Sequence, residues 1–76
     1  MIDDIKQLIG KVTKLGTADV EALVHEEELN CFDSLQFLNF VIELEYKFGI
    51  SIEPEEMGEM KNFAKIMELL KNKGIG

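Results

Sequence analysis

Apolar residues along this 76-residue chain fall into three helical patterns, separated by stretches with no sustained period. Ile2, Ile5, Leu8, Ile9, Val12 and Leu15 recur at intervals of three and four, which places them on one helical stripe and predicts a helix over about residues 3–15. Asp3 and Asp4 in its first turn, and Lys11 and Lys14 near its end, complement the helix dipole, and Gly16 is the expected stop. Gly10 lies inside this helix and costs about 1 kcal/mol relative to alanine unless close packing uses it. A second pattern spans residues 34–48, where Leu35, Phe37, Leu38, Phe40, Val41, Ile42, Leu44 and Phe48 sweep more than half of the helix circumference. So wide an arc predicts neighbours on two or three sides and makes this the central helix. The narrow polar strip left over holds Gln36, Asn39, Glu43, Tyr46 and Lys47, with Glu43 and Lys47 spaced for an i,i+4 ion pair. Glu45 falls within the apolar arc without an evident partner. Phe63, Ile66, Met67 and Leu70 form the third stripe, in a closing helix over about residues 62–72.

Local punctuation agrees with these limits. Asp33 and Gln36 have the Asp-x-x-Gln spacing of a capping box at the start of the central helix. Gly49 can take the left-handed conformation after Phe48, and Ile50 supplies the apolar contact of a Schellman ending. Ile50-Ser51-Ile52 reads as a short extended piece, after which Pro54 opens a brief helix over about 54–58, as a proline in the first helical position should. Asn62 is a good cap for the closing helix. Residues 16–33 form a long connection whose Thr17–Val24 portion is compatible with a helical turn but too short to assign by period. A connection of this length needs an anchoring contact, and Val20, Leu23, Val24 and Leu29 are the candidates. The expected architecture over residues 1–76 is therefore a single all-α domain, a small four-helix bundle with a short third helix and a long loop between the first and second.

Charge and composition narrow the function. A formal charge of −7 repels nucleic acid and favours basic partners, although solubility alone accounts for such a surface. With 46% hydrophobic residues the chain is too apolar for a disordered acidic tail. No apolar run approaches the roughly 20 residues of a membrane span, and Met1-Ile2-Asp3-Asp4 lacks the basic start and apolar core of a signal peptide. One cysteine and one histidine make neither a disulfide framework nor a zinc site. Cys31 reads as a small, partly buried apolar residue, and His25 with Glu26, Glu27 and Glu28 as a solvated face. A cytoplasmic monomer is expected. A catalytic role is not: there is no nucleophile elbow, metal set or Gly-rich phosphate loop, and His25 lacks an orienting third group.

One residue stands out chemically. Ser34 is the first residue of the central helix, so its hydroxyl sits at the positive end of the dipole, where an attached anion is favoured. Taken alone, it is either ordinary helix punctuation or a place to hang a phosphate.

Around that serine the chain resembles the acyl carrier protein family. The resemblance rests on Phe32-Asp33-Ser34-Leu35, on Ile42-Glu43-Leu44-Glu45-Tyr46-Lys47-Phe48-Gly49-Ile50-Ser51-Ile52, and on Pro54-Glu55-Glu56. It covers about residues 29–70 well and the first helix by pattern only. What it implies is a 4′-phosphopantetheine arm, transferred from coenzyme A onto Ser34 by a phosphopantetheinyl transferase, with Asp33 helping to position the metal during transfer. No metal would be resident. The arm's thiol would carry an acyl group as a thioester for fatty-acid, polyketide or specialised acyl synthesis. Aminoacyl, peptidyl and D-alanyl carriers share the scaffold, and an unmodified helical interaction module would use the same core; only Ser34 separates these readings. The implied partners are the transferase and the synthases or acyl and aminoacyl ligases that handle the cargo. Their implied contact surface is Gln36, Asn39, Glu43, Tyr46, Lys47, Glu55 and Glu56. An acyl-chain cavity is implied among Leu38, Ile42, Ile52, Met57 and Phe63, where flexible Met and Phe side chains suit a variable cargo.

Three departures bear on this. Cys31 stands where the family usually has glycine, and Asn30 where leucine is common, with Leu29 one position earlier, so the loop is expected to pack in a shifted register. Gln36, Asn39 and Lys47 stand where acids are common. The strip facing partners is then nearly neutral, which points to a specialised pathway rather than general fatty-acid synthesis. The discrete length and native-looking Met1 favour a stand-alone carrier.

Overall fold

A computed structural model describes residues 2–75 and is helical throughout its regular structure, with no strand among the described residues. Five helical segments follow in order: α1 (Ile2–Thr13), α2 (Thr17–Leu23), α3 (Ser34–Phe48), α4 (Pro54–Met57) and α5 (Phe63–Asn72). The bundle expected from the apolar patterning is present, with α4 the short helix that Pro54 announced. The long connection is not all loop, since α2 occupies its first half. α2 has only seven residues and buries only Val20, too little apolar period to be visible in sequence. It is held against α1, where Val20 lies over Gly10: a Cβ on Gly10 would meet Val20 Cγ2 at 3.6 Å and the Leu15 carbonyl oxygen at 3.5 Å, ordinary contact distances.

α1 ends two residues before the expected limit. Lys14, rather than Gly16, takes the left-handed conformation (φ 62°), and its N–H still donates to the Gly10 carbonyl at 2.7 Å. Gly16 instead lies in extended backbone as the N-cap of α2 (φ −75°, ψ 168°). The short link between two packed helices forces the reversal to begin at Lys14, so the positive φ falls on a residue that disfavours it.

One core joins the elements. Ile5 and Ile9 of α1, Phe40, Val41 and Leu44 of α3, and Ile66 and Leu70 of α5 are almost fully buried, with Leu8, Val20, Ile52, Met60, Phe63 and Leu69 closing around them. No polar or charged side chain among the described residues is buried. The radius of gyration, 11.3 Å, matches the about 11 Å expected of a compact chain of this length.

α3 is the central helix, but only part of its apolar arc is covered. Phe40, Val41 and Leu44 face the core, whereas Leu35, Leu38 and Ile42 are exposed. Neighbours therefore enclose a narrower sector than the composition of α3 suggested, because the bundle spends α1 and α5 on one side and has no helix to lay across the other.

The remaining connections are anchored by specific bonds. The Leu29 N–H donates to the Lys61 carbonyl at 2.7 Å, and Asn62 Nδ2 donates to the Glu27 carbonyl at 2.9 Å, while Asn62 Oδ1 accepts from the Lys65 N–H at 2.8 Å as the cap of α5. Asn62 thus caps one helix and holds the distant loop with the other end of its amide. Leu29 packs on the core and Asn30 is exposed, in keeping with a shifted loop register. At the far end of α3, Gly49 is left-handed (φ 65°, ψ 39°), and the Ile50 N–H reaches the Glu45 carbonyl at 3.2 Å, the long bond of a Schellman ending.

Candidate functional site

Ser34 is exposed at the first position of α3. The helix starts there because Asp33 and Gln36 close the expected capping box: Asp33 Oδ1 accepts from the Gln36 N–H at 2.7 Å, and Gln36 Oε1 accepts from the Asp33 N–H at 3.1 Å. The Phe37 N–H is satisfied by the Asp33 carbonyl at 2.9 Å. Of the four amides at the helix start that have no intrahelical acceptor, Asp33 to Gln36, the capping box satisfies the first and the last, and those of Ser34 and Leu35 are left for water or an anion. A phosphodiester on the serine oxygen fits this end of the helix. Asp33 opposes a second negative charge, but one of its oxygens is committed to Gln36, and its exposed position lets water screen the rest.

The loop before the serine is held by aromatic packing. The Phe32 ring lies 5.0 Å from that of Phe40 in a stacked arrangement (interplanar angle 27°) and 6.0 Å from that of Phe37, edge-on. Since Phe40 is fully buried, Phe32 ties the adjoining Asp33 and Ser34 to the core. Beside the serine, Leu29, Phe32, Phe37 and Met60 line an open groove of about 290 Å³ that also touches Asp33 and Ser34. Cys31 is half-buried, and burial raises its thiol above the ordinary value, with the Glu26 carboxylate adding to the effect, so at neutral pH it remains a thiol.

The other sequence-derived site residues are distributed more widely. Leu38 and Ile42 lie on the outer side of α3, at 48% and 59% exposure, whereas Ile52 and Phe63 are core residues and Met57 is half-buried against them. The groove next to Ser34 is lined by none of these five but by Leu29, Phe32, Phe37 and Met60, of which only Met60 is buried. Of the expected contact surface, Asn39, Tyr46, Lys47 and Glu55 are exposed and Gln36, Glu43 and Glu56 are half-buried. Glu43 and Lys47 do not pair with each other. Glu43 meets Lys11 at 3.2 Å and Lys47 meets Asp4 at 3.7 Å, because α1 runs alongside and offers opposite charges to both. Glu56 bonds to Lys73 at 2.9 Å and accepts the Glu53 N–H at 2.8 Å, and these contacts hold its carboxyl below the ordinary value, the Glu53 amide foremost. Glu45 also finds its role: Oε2 accepts the Ile52 N–H at 2.8 Å and pins the extended segment across the end of α3. The sequence carried no signal for that bond, since it depends on the direction in which the chain leaves the helix.

Fold and site together define a small helical bundle that presents an exposed serine at a capped helix start. The family model described as phosphopantetheine attachment site matches residues 3–70, and the chain belongs to this family of phosphopantetheine-carrying carrier proteins. Its cofactor is covalently attached 4′-phosphopantetheine. Among curated proteins and among solved structures nothing matches the chain. No helix among the described residues is long and apolar enough to cross a membrane, and none of their His, Cys, Asp and Glu side chains cluster to hold a metal ion.

Proposed function

We propose that Ser34 is the attachment residue and that the chain carries acyl groups in a specialised pathway. The observation that carries this reading is the exposed Ser34 hydroxyl at a helix start whose cap leaves two amides for an anion. The other serine of the chain, Ser51, lies in the extended segment between α3 and α4 and has no helix start behind it. In the transfer reaction Ser34 Oγ supplies the oxygen of the new phosphodiester, the pyrophosphate P–O bond of coenzyme A breaks, adenosine 3′,5′-bisphosphate leaves, and the hydroxyl proton passes to the transferase or water. Asp33 fixes the serine at the start of the helix and offers a carboxylate to the metal used by the transferase. Once attached, the arm supplies a terminal thiol that holds its cargo as a thioester. No activating base is needed beside Ser34, because the transferase supplies the catalysis.

The groove of Leu29, Phe32, Phe37 and Met60 supports an apolar cargo over a D-alanyl or other aminoacyl group, because its walls reward burial of methylene groups at about 0.8 kcal/mol each. The scarcity of acids on the outer side of α3 supports partners other than those of general fatty-acid synthesis.

Intact mass after incubation with coenzyme A, magnesium and a broad-specificity phosphopantetheinyl transferase tests the attachment. A gain of one phosphopantetheine, lost in Ser34→Ala and kept in Ser51→Ala, is expected. No gain with several transferases would leave an unmodified interaction module. For the cargo, octanoyl loading should shift the NMR signals of Phe32, Phe37 and Met60 while D-alanyl loading leaves them in place; equal spectra would refute an acyl groove. Turnover equal to that of a housekeeping carrier in reconstituted fatty-acid elongation would refute the specialised pathway.

A further inference from the structure

The groove beside Ser34 has two walls that are held in different ways. Phe32 and Phe37 pack ring against ring, and Phe32 also stacks on Phe40, so α3 itself fixes that wall. Leu29 and Met60 form the other wall, and both stand outside the helices, Leu29 between α2 and α3 and Met60 between α4 and α5. Two hydrogen bonds join those segments: the Leu29 N–H donates to the Lys61 carbonyl at 2.7 Å, and Asn62 Nδ2 donates to the Glu27 carbonyl at 2.9 Å. Each bond ends within two residues of Leu29 on one side and of Met60 on the other.

Asn62 supplies the side-chain half of this clasp. Its Oδ1 accepts the Lys65 N–H at 2.8 Å as the cap of α5, which directs Nδ2 away from the helix and onto the loop. Aspartate or serine caps a helix about as well as asparagine. Aspartate, however, has no donor for the Glu27 carbonyl, and serine is too short to reach it from the cap. We infer that Asn62 is a positioning residue for the cargo of the Ser34 arm: its bond to the loop keeps Leu29 opposite Met60 and so holds the groove ready for an apolar chain, a role that rests on the groove being where that chain lies. One hydrogen bond of this kind shifts a local equilibrium by about twofold to tenfold. Without it the competent groove is populated less, and the apparent affinity for the chain falls by up to the same factor. Each methylene buried in the groove raises affinity by about fourfold, so a chain about one or two carbons longer makes up the loss. Asn62 thereby sets the shortest acyl chain that the groove retains.

The test compares wild type, Asn62→Ser and Asn62→Asp, each loaded by a broad-specificity phosphopantetheinyl transferase from acyl-coenzyme A, with chains from butanoyl to dodecanoyl in one-carbon steps. All three proteins should share one circular dichroism spectrum and protect the Lys65 amide equally, because the cap is kept. The Leu29 amide should exchange about twofold to tenfold faster in both variants than in wild type. The chain length at which the Met60 methyl and Phe37 ring signals reach half of their full displacement should rise by about one or two carbons. An unmoved chain-length dependence, or Leu29 exchange at the wild-type rate, overturns the role of Asn62 and leaves both the attachment and the groove in place. Equal acceleration at Lys65 and Leu29 assigns the effect to the α5 cap and overturns it as well. Wild-type signals that no chain displaces remove the groove and the role of Asn62 with it, and failure of the wild type to gain mass removes the attachment itself.

Discussion

The two sides of α3 are built from the same kinds of residue and have opposite surroundings. Phe40, Val41 and Leu44 are sealed between α1 and α5, whereas Leu35, Leu38 and Ile42, interleaved with them in sequence, stand in solvent. Hydrophobicity sets how strongly a side chain seeks cover, but the number of neighbouring elements sets how much cover exists. In a bundle of 76 residues the second quantity runs out first. The apolar excess of the outer side adds less to stability than the covered side and leaves surface available for recognition.

The most severe way to probe this contrast is to hollow out the covered side. Phe40→Ala removes a fully buried ring that also stacks on Phe32, and should cost about 3–5 kcal/mol in urea or thermal unfolding. Because so small a domain has little stability to lose, the variant should be largely unfolded at 37 °C. At the boundary between the two sides, Glu45→Ala strips the acceptor from the Ile52 N–H beside a buried Ile52, and should cost about 1–3 kcal/mol. Glu45→Gln keeps an acceptor there and should recover most of the loss; equal destabilisation by both would place the role of Glu45 in its charge.

Acid offers a third comparison, between α3 and the junction of α4 with α5. Glu56 is held below its ordinary value by the Glu53 amide and by Lys73. Its contribution is therefore complete above the ordinary carboxylate value and is lost as pH falls through the lowered one. The stability difference between wild type and Glu56→Gln should shrink across that window. Hydrogen exchange should show α4 and the end of α5 loosening while the buried side of α3 stays protected. The smallest effect belongs to the outer side: Leu38→Ser should change the unfolding free energy by no more than about 0.5 kcal/mol, an order of magnitude below Phe40→Ala on the same helix. A loss of about 2 kcal/mol or more would mean that Leu38 is covered and the contrast false.

Much of the site and several of the helix limits are legible in the sequence alone, because the interactions that create them join residues three to five apart. The Asp33–Gln36 box, the left-handed Gly49 with Ile50, Pro54 at a first helical position and Asn62 before Phe63 are each complete within one turn. The match of Asp33-Ser34-Leu35 to a carrier serine is equally local. α2 cannot be assigned from sequence because seven residues with one buried valine carry no readable period, and it is the surface of α1 around Gly10 that holds them helical. Glu43 and Lys47 were spaced for each other, yet each meets α1, since Lys11 and Asp4 lie close only after the chain has folded back.

By itself the sequence determined where α3 begins and ends, where α4 and α5 begin, and which serine stands at the start of the central helix. These depend on backbone donors and acceptors that find partners within a single turn. The tertiary structure alone decided which part of the apolar arc of α3 is core and which is surface, where Glu45 and Glu43 direct their carboxylates, and which residues line the groove beside Ser34. Those outcomes depend on how many helices pack against α3 and from which side, and no interval along the chain encodes that.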